Sequence, residues 1–185
     1  MHMLQGFAAG LITLLLISPA CAQAPPDGFR DLKWGVTQEQ VVRAFPRASC
    51  DARRTESYDW MCVLEDETVN DVSVWLIVAG YTTGKVVGLS KVTLSFLSYD
   101  VGRIVAAFEA RYGPPSRVED KEIVTEGGER FPNTAWRWSF PDAAISILQH
   151  SSRLGDAIAS VALYASLAEF EERTAQRKRG AGNGL

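Results

Sequence analysis

Apolar residues recur along this chain in two rhythms, and the rhythms alternate. The stretch Trp34-Gly35-Val36-Thr37-Gln38-Glu39-Gln40-Val41-Val42-Arg43-Ala44-Phe45 has the spacing of a short amphipathic helix, with Val41, Val42 and Phe45 on its inward side. Thr37 and Gln40 form a capping box, and Val36 with Val41 the matching hydrophobic staple. Pro46 ends the helix, because the residue before a proline is driven out of the α region. A period of two then takes over. Residues 58–64 read as a strand, 65–71 as turn chemistry, 72–78 as a strand buried on both faces, and 90–96 as a half-buried strand with Val92, Leu94 and Phe96 inward.

The helical rhythm returns at residues 99–112. Asp100 is placed to cap, Tyr99 and Ile104 repeat the staple, and Val101, Ile104, Val105, Phe108 and Tyr112 make one stripe that stops at Gly113-Pro114-Pro115. Strand patterns follow at 117–125, 136–140, 144–149 and 158–165. Ser166-Leu167-Ala168-Glu169 reads as another capping box, opening a final helix with acids near its start and bases near its end. Set side by side, Val41-Val42-Arg43-Ala44-Phe45 matches Ile104-Val105-Ala106-Ala107-Phe108, and the strands after each fall in the same order. The expected fold is therefore α+β: two similar helix-then-antiparallel-sheet units, of about three to four strands each, and a C-terminal helix. The corresponding segments are 1–22 (a leader), 23–98, 99–166, and 167–185 for the helix and tail.

The leader reading rests on an apolar run at residues 7–17. It falls short of the ~20 residues a membrane span needs and is followed by Ser18-Pro19 and Ala20-Cys21-Ala22. Small residues in an Ala-x-Ala arrangement imply secretory cleavage after Ala22. The expected location is then the periplasm or the exterior, with no membrane span. Lipid attachment at Cys21 is the alternative. Export changes the reading of the two remaining cysteines: in an oxidising compartment, Cys50 and Cys62 are expected to form a disulfide.

The formal net charge of -3 lacks the clustered basic face that nucleic-acid binding requires. Catalytic signatures are sparse. Beyond the leader the chain has one histidine, His150, beside Ser151 and Ser152, and no Gly-x-Ser-x-Gly elbow. One histidine and a cysteine pair do not make a zinc site, and Gly127-Gly128 is followed by Glu129-Arg130, not by a phosphate-binding lysine. Acidic runs at Glu65, Asp66 and Glu67 and at Glu119, Asp120 and Glu122 lack the spacing of a calcium loop and read as solvated turns. Arg177-Lys178-Arg179 is too short a basic run to specify an anionic surface. The sequence thus assigns no catalytic residue, metal ligand or cofactor, and leans away from an enzyme. Trp136 and Trp138, two apart and so on one strand face, are the candidate contact surface, with core packing as the alternative.

With its Phe29, Leu32, Trp34 and Gly35 opening and its repeated helix-then-sheet order, the chain resembles the β-lactamase-inhibitor-protein-like architecture and similar bacterial envelope proteins. It departs from those inhibitors in lacking a second helix before each sheet. The resemblance implies non-enzymatic binding of another protein and transfers no binding residues. The expected function is an exported envelope protein that binds a protein partner, most simply another envelope protein. The alternatives are a small periplasmic hydrolase or ligand-binding protein, and a lipid-tethered scaffold.

Overall fold

The computed structural model describes residues 24–51, 57–125 and 127–182. The expected leader, with Cys21, lies outside them, as do the middle of the loop after Cys50 and the last three residues. In chain order a small hairpin, β1 (Gly28–Phe29) and β2 (Leu32–Lys33), precedes α1 (Gln38–Ala44). Then come β3 (Ser49–Asp51), β4 (Trp60–Val69), β5 (Val72–Tyr81) and β6 (Gly88–Leu97). After a 3-10 turn at Ser98–Asp100 the chain enters α2 (Val101–Tyr112), followed by β7 (Arg117–Val124), β8 (Arg130–Ser139), β9 (Ala143–Leu148), β10 (Asp156–Leu163) and α3 (Tyr164–Gly182).

The protein is α+β. Strands β3 to β10 form one antiparallel sheet in the order β3-β4-β5-β6-β10-β9-β8-β7. Every neighbour in that order is also a neighbour in sequence except one, β6 with β10, whose register runs from Asp156 opposite Leu97 to Ala162 opposite Lys91.

Alternation along the strands divides the sheet into two unlike faces. On one, the row Cys50–Cys62–Val78–Val92–Val161–Ile145–Trp138 crosses seven strands. Beside it runs Leu64–Leu76–Leu94–Ala159–Ile147–Trp136. Val41 of α1 and Ile104, Val105 and Phe108 of α2 close over these rows to make the core. Cys50 and Cys62 stand opposite each other at one edge and are disulfide-bonded.

The helices match the sequence reading in part. Thr37 and Gln40 make both bonds of the capping box, but Val42 is exposed, so a helix this short turns only Val41 fully inward. At α2, Asp100 makes no side-chain cap and instead contacts Arg103, because the 3-10 turn has already redirected the chain. Tyr99 is 79% exposed and takes no part in a staple. The expected capping box at Ser166 and Glu169 does not form either. α3 starts at Tyr164, directly from β10, leaving Ser166 inside the helix, where its buried hydroxyl donates to Ser90 Oγ at 3.0 Å. Finally, β4 runs past the expected turn at Glu65. A bulge between Leu64 and Glu67 absorbs the acidic residues, and the reversal is the two-residue turn Asn70-Asp71, both with positive φ.

The Trp34-Gly35 segment is strapped across the start of β6: Gly35 N–H donates to Leu89 O at 2.9 Å, and Leu89 N–H to Val36 O at 2.8 Å. At Gly88, φ is +83° and a Cβ would collide with the backbone carbonyl of Gly35. Gly88→Ala should therefore cost about 2 kcal/mol or more, through left-handed strain and displacement of the strap. Gly102, in α2 with open space around it, should gain about 0.5 kcal/mol when changed to alanine. Urea denaturation of the two variants checks the opposite signs.

Candidate contact surface

The second face of the sheet is built from the alternate residues of the same strands. Its first row is Trp75–Ser95–Ile158–Leu148–Ala135–Glu119. The second is Val63–Ile77–Thr93–Ser160–Ser146–Arg137–Arg117. The third is Met61–Ala79–Lys91–Ala162–Ala144–Ser139.

α3 packs on the β4–β5 side, at the third-row end. Phe170 meets Tyr58 at 5.6 Å, and both join Tyr81, Ala79, Met61 and Val86 in a small apolar cluster. Lys91, half-buried here with its Nζ 6.0 Å from the Tyr58 ring, has its pKa lowered by burial. Away from α3, Trp75 is 62% exposed and Ile77, Ser95, Ile158, Ser160, Ser146 and Leu148 are half-buried. Hydroxyls line the centre, with Thr93 Oγ1 and Ser160 Oγ 3.4 Å apart across β6 and β10. Ser73, Trp75, Ser95, Phe96, Leu97 and Asp156 line a shallow hollow at one end.

Charge is distributed unevenly across this face. At the β7–β8 end, Glu119 is shared by Arg117 at 2.7 Å, Lys121 at 3.0 Å and Arg137 at 3.9 Å. The hydrogen bond from Lys121, reinforced by the neighbouring cations against partial desolvation, holds the Glu119 carboxyl below its ordinary range. Arg117 and Arg137 are direct cross-strand partners, an unfavourable juxtaposition that one carboxylate only partly offsets. At the other end, the β4 bulge sets Glu65 and Asp66 opposite Trp75. Both are exposed, and among the described residues neither is in an ion pair.

The sequence expectation for Trp136 and Trp138 is corrected. They do share a face, but it is the helix-covered one: Trp138 is 2% exposed, donates its indole N–H to Gly113 O at 2.7 Å and packs 6.1 Å from Phe108. Trp136 is half-buried against the same core. Trp75 is the tryptophan presented outward. Reading 72–78 as buried on both faces hid it, because Trp75 and Ile77 are as apolar as the inward residues. His150 has a local structural role: its backbone is bonded to the Asn133 side chain, and Nδ1 accepts from Gly155 N–H at 3.3 Å. The other acids have separate partners, Glu67 with Arg30, Asp120 with Thr134, and Glu122 with Arg130. No cluster of His, Cys, Asp or Glu suited to a metal ion occurs among the described residues.

Arg173 fastens α3 to the sheet. Its guanidinium donates to Glu169, Asp59 and the Thr83 carbonyl, each at 2.8 Å, and lies 4.5 Å from the Tyr81 ring centre. Asp59 also accepts from the Thr82 N–H at 2.8 Å and the Thr82 hydroxyl at 3.0 Å. Burial pushes the Asp59 carboxyl up, but these donors and Arg173 more than compensate and leave it below its ordinary value. Glu169 is lowered chiefly by its hydrogen bond from Arg173.

No family model, curated protein or solved structure matches the chain. The assignment therefore ends at a class: an α+β protein built on one antiparallel sheet, with a core face under α1 and α2 and a second face that α3 covers only at one end. Among the described residues, no helix is long and apolar enough to cross a membrane.

Carboxylates with depressed folded-state pKa values stabilise fully above their unfolded values, about 4, and lose that contribution as pH falls through the lower folded values. The docking of α3 should thus weaken as pH drops below about 4. Arg173→Ala should cost roughly 2 kcal/mol at neutral pH and flatten the acid-side loss. Denaturation midpoints measured from pH 3 to 6 for both proteins test this, and parallel pH profiles would contradict it.

Proposed function

We propose that this chain is an exported, non-enzymatic protein-binding module whose contact surface is the sheet face carrying Trp75. The observation behind the proposal is that a large indole stands 62% exposed on an interior strand of the sheet, two residues from half-buried Ile77 and in the same cross-strand row as half-buried Ile158 and Leu148. Burying it on a partner would remove up to roughly 150 Å² of side-chain surface from water, and aromatic anchors of this kind dominate protein interfaces.

The wider architecture supports the same reading. We take the chain as one unit written twice, α1 with β3–β6 and α2 with β7–β10. In each unit the strands run in sequence order from sheet edge to sheet centre, as expected if the resemblance to β-lactamase-inhibitor-like proteins reflects a common plan. Each unit has one helix here. The Cys50–Cys62 disulfide supports an oxidising compartment, hence the periplasm or exterior. In this reading, Cys21 would affect only tethering.

The test is site-specific photo-crosslinking in the native envelope. A photoreactive residue at Ser73 should give a discrete adduct that excess unlabelled protein competes away and excess Trp75→Asp protein does not. The same residue at exposed Ala106 of α2 should give none. Equal labelling from both positions, or equal competition by both proteins, would overturn the proposal.

A further inference from the structure

We propose that the hollow beside Trp75 receives an arginine side chain of the protein partner, its guanidinium laid between the indole and the carboxylate of Asp156. The inference rests on the reading of this face as a contact surface, and it names what the partner must bring there.

The hollow lies at the end of the open face, just beyond the row of Trp75 and Ser95. Ser73, Trp75, Ser95, Phe96, Leu97 and Asp156 line it, and its volume is about 290 Å³. Trp75 on β5 is opposite Ser95 on β6, and Leu97, two residues on, is opposite Asp156 on β10. The indole and the carboxylate therefore stand two strands apart, about 10 Å across the sheet. Ser95 and Leu97 make the floor between them, and Leu97 is 48% exposed. Small-molecule pockets enclose roughly 300–1,000 Å³. A smaller, open hollow with an aromatic wall accommodates one long side chain.

Charge decides which side chain. Asp156 is half-buried, and among the described residues its carboxylate has neither a hydrogen bond nor an ion pair. His150, just past β9, spends Nδ1 on Gly155 N–H, and Arg153, in the turn before β10, is exposed. A partner laid on this face takes water away from Asp156. Under a neutral group the carboxylate would lose its hydration with nothing in exchange, the costly case of a buried unpaired charge. A cation offsets that cost, so the hollow selects for positive charge. Glu65 and Asp66 of the β4 bulge, opposite Trp75 and exposed, add to the same field. Arginine suits the site better than lysine. Its guanidinium is planar and weakly hydrated, stacks on an indole face and can donate two parallel hydrogen bonds to one carboxylate. Its apolar stem has Leu97 to lie on.

Two measurements test this. In the purified protein, the NMR signal of the Trp75 indole N–H, identified by its loss in Trp75→Phe, should shift when acetyl-Gly-Arg-Gly-amide is added. The citrulline analogue has the same shape without the charge and should leave the signal in place, and Asp156→Asn should abolish the arginine response. In the envelope, unlabelled Asp156→Asn protein should compete for the Ser73 adduct about tenfold less well than the parent. Glu171→Gln, which removes the same charge from an exposed position on α3, should compete like the parent. Asp156→Ser replaces Asp156→Asn if the latter lowers the melting temperature. Equal responses to the arginine and citrulline peptides would overturn the inference, as would full competition by the Asp156 variant. If that variant competes fully and Trp75→Asp does not, the contact face stands and only the cationic anchor is excluded. If Trp75→Asp also competes fully, the reading of the face itself falls.

Discussion

The pairing of β6 with β10 holds this structure together as one sheet. It joins two runs of sequence-adjacent antiparallel strands by their last members, in register from Asp156 opposite Leu97 to Ala162 opposite Lys91. A slip of one residue would exchange the faces of every strand on one side. Val161 and Ala159 would leave the core, and Ser160 and Ile158 would enter it. Alternation in the two strands forbids that. Ala157, Ala159 and Val161 are as fully buried under the helices as Val92 and Leu94, their neighbours across the pairing. The identity of both faces thus follows from a single strand pair.

The same pairing explains why the faces differ. Beneath α1 and α2, the rows carry branched and aromatic side chains that fill the space between sheet and helix. On the opposite side the central positions are Ser95, Thr93, Ser160 and Ser146, which bury little and need no cover. Half-buried Ile158 and Leu148 stand beside them on β10 and β9, while Trp75 lies toward one flank and Arg137 and Arg117 toward the other. α3 cannot close this face. It is polar along most of its length, and its apolar anchor Phe170 reaches only the cluster around Tyr58 and Tyr81. Arg173 with Asp59 and Glu169 then supplies through charge-assisted hydrogen bonds what the helix lacks in apolar contact.

Much of the fold was legible in the chain. Periods of 3.6 and 2 located α1, α2 and most strands, and the Thr37–Gln40 cap and the Cys50–Cys62 bridge could be read from residue type and context. The errors have local physical causes. Asp100 and Ser166 have the chemistry of helix caps, but the 3-10 turn leaves the Asp100 side chain to Arg103 three residues on, and a tertiary contact takes Ser166 to Ser90. Glu65 and Asp66 looked like a turn because a bulge and a turn use the same residues. The candidate contact surface was the least legible part: five tryptophans look alike in sequence, and only strand register separates Trp138, fixed beneath Phe108, from Trp75. Strand order, which sets that register, depends on a pairing between residues some sixty positions apart, and no local pattern announces it.

The direct junction between β10 and α3 has one more consequence. Leu163 ends the strand and Tyr164 begins the helix, with no intervening loop to take up slack. Any displacement of α3 must therefore pull on a central strand of the sheet, not on a free hinge. A shift of the first turn of α3 is therefore carried directly into β10, whose Ser160 stands at the middle of the open face.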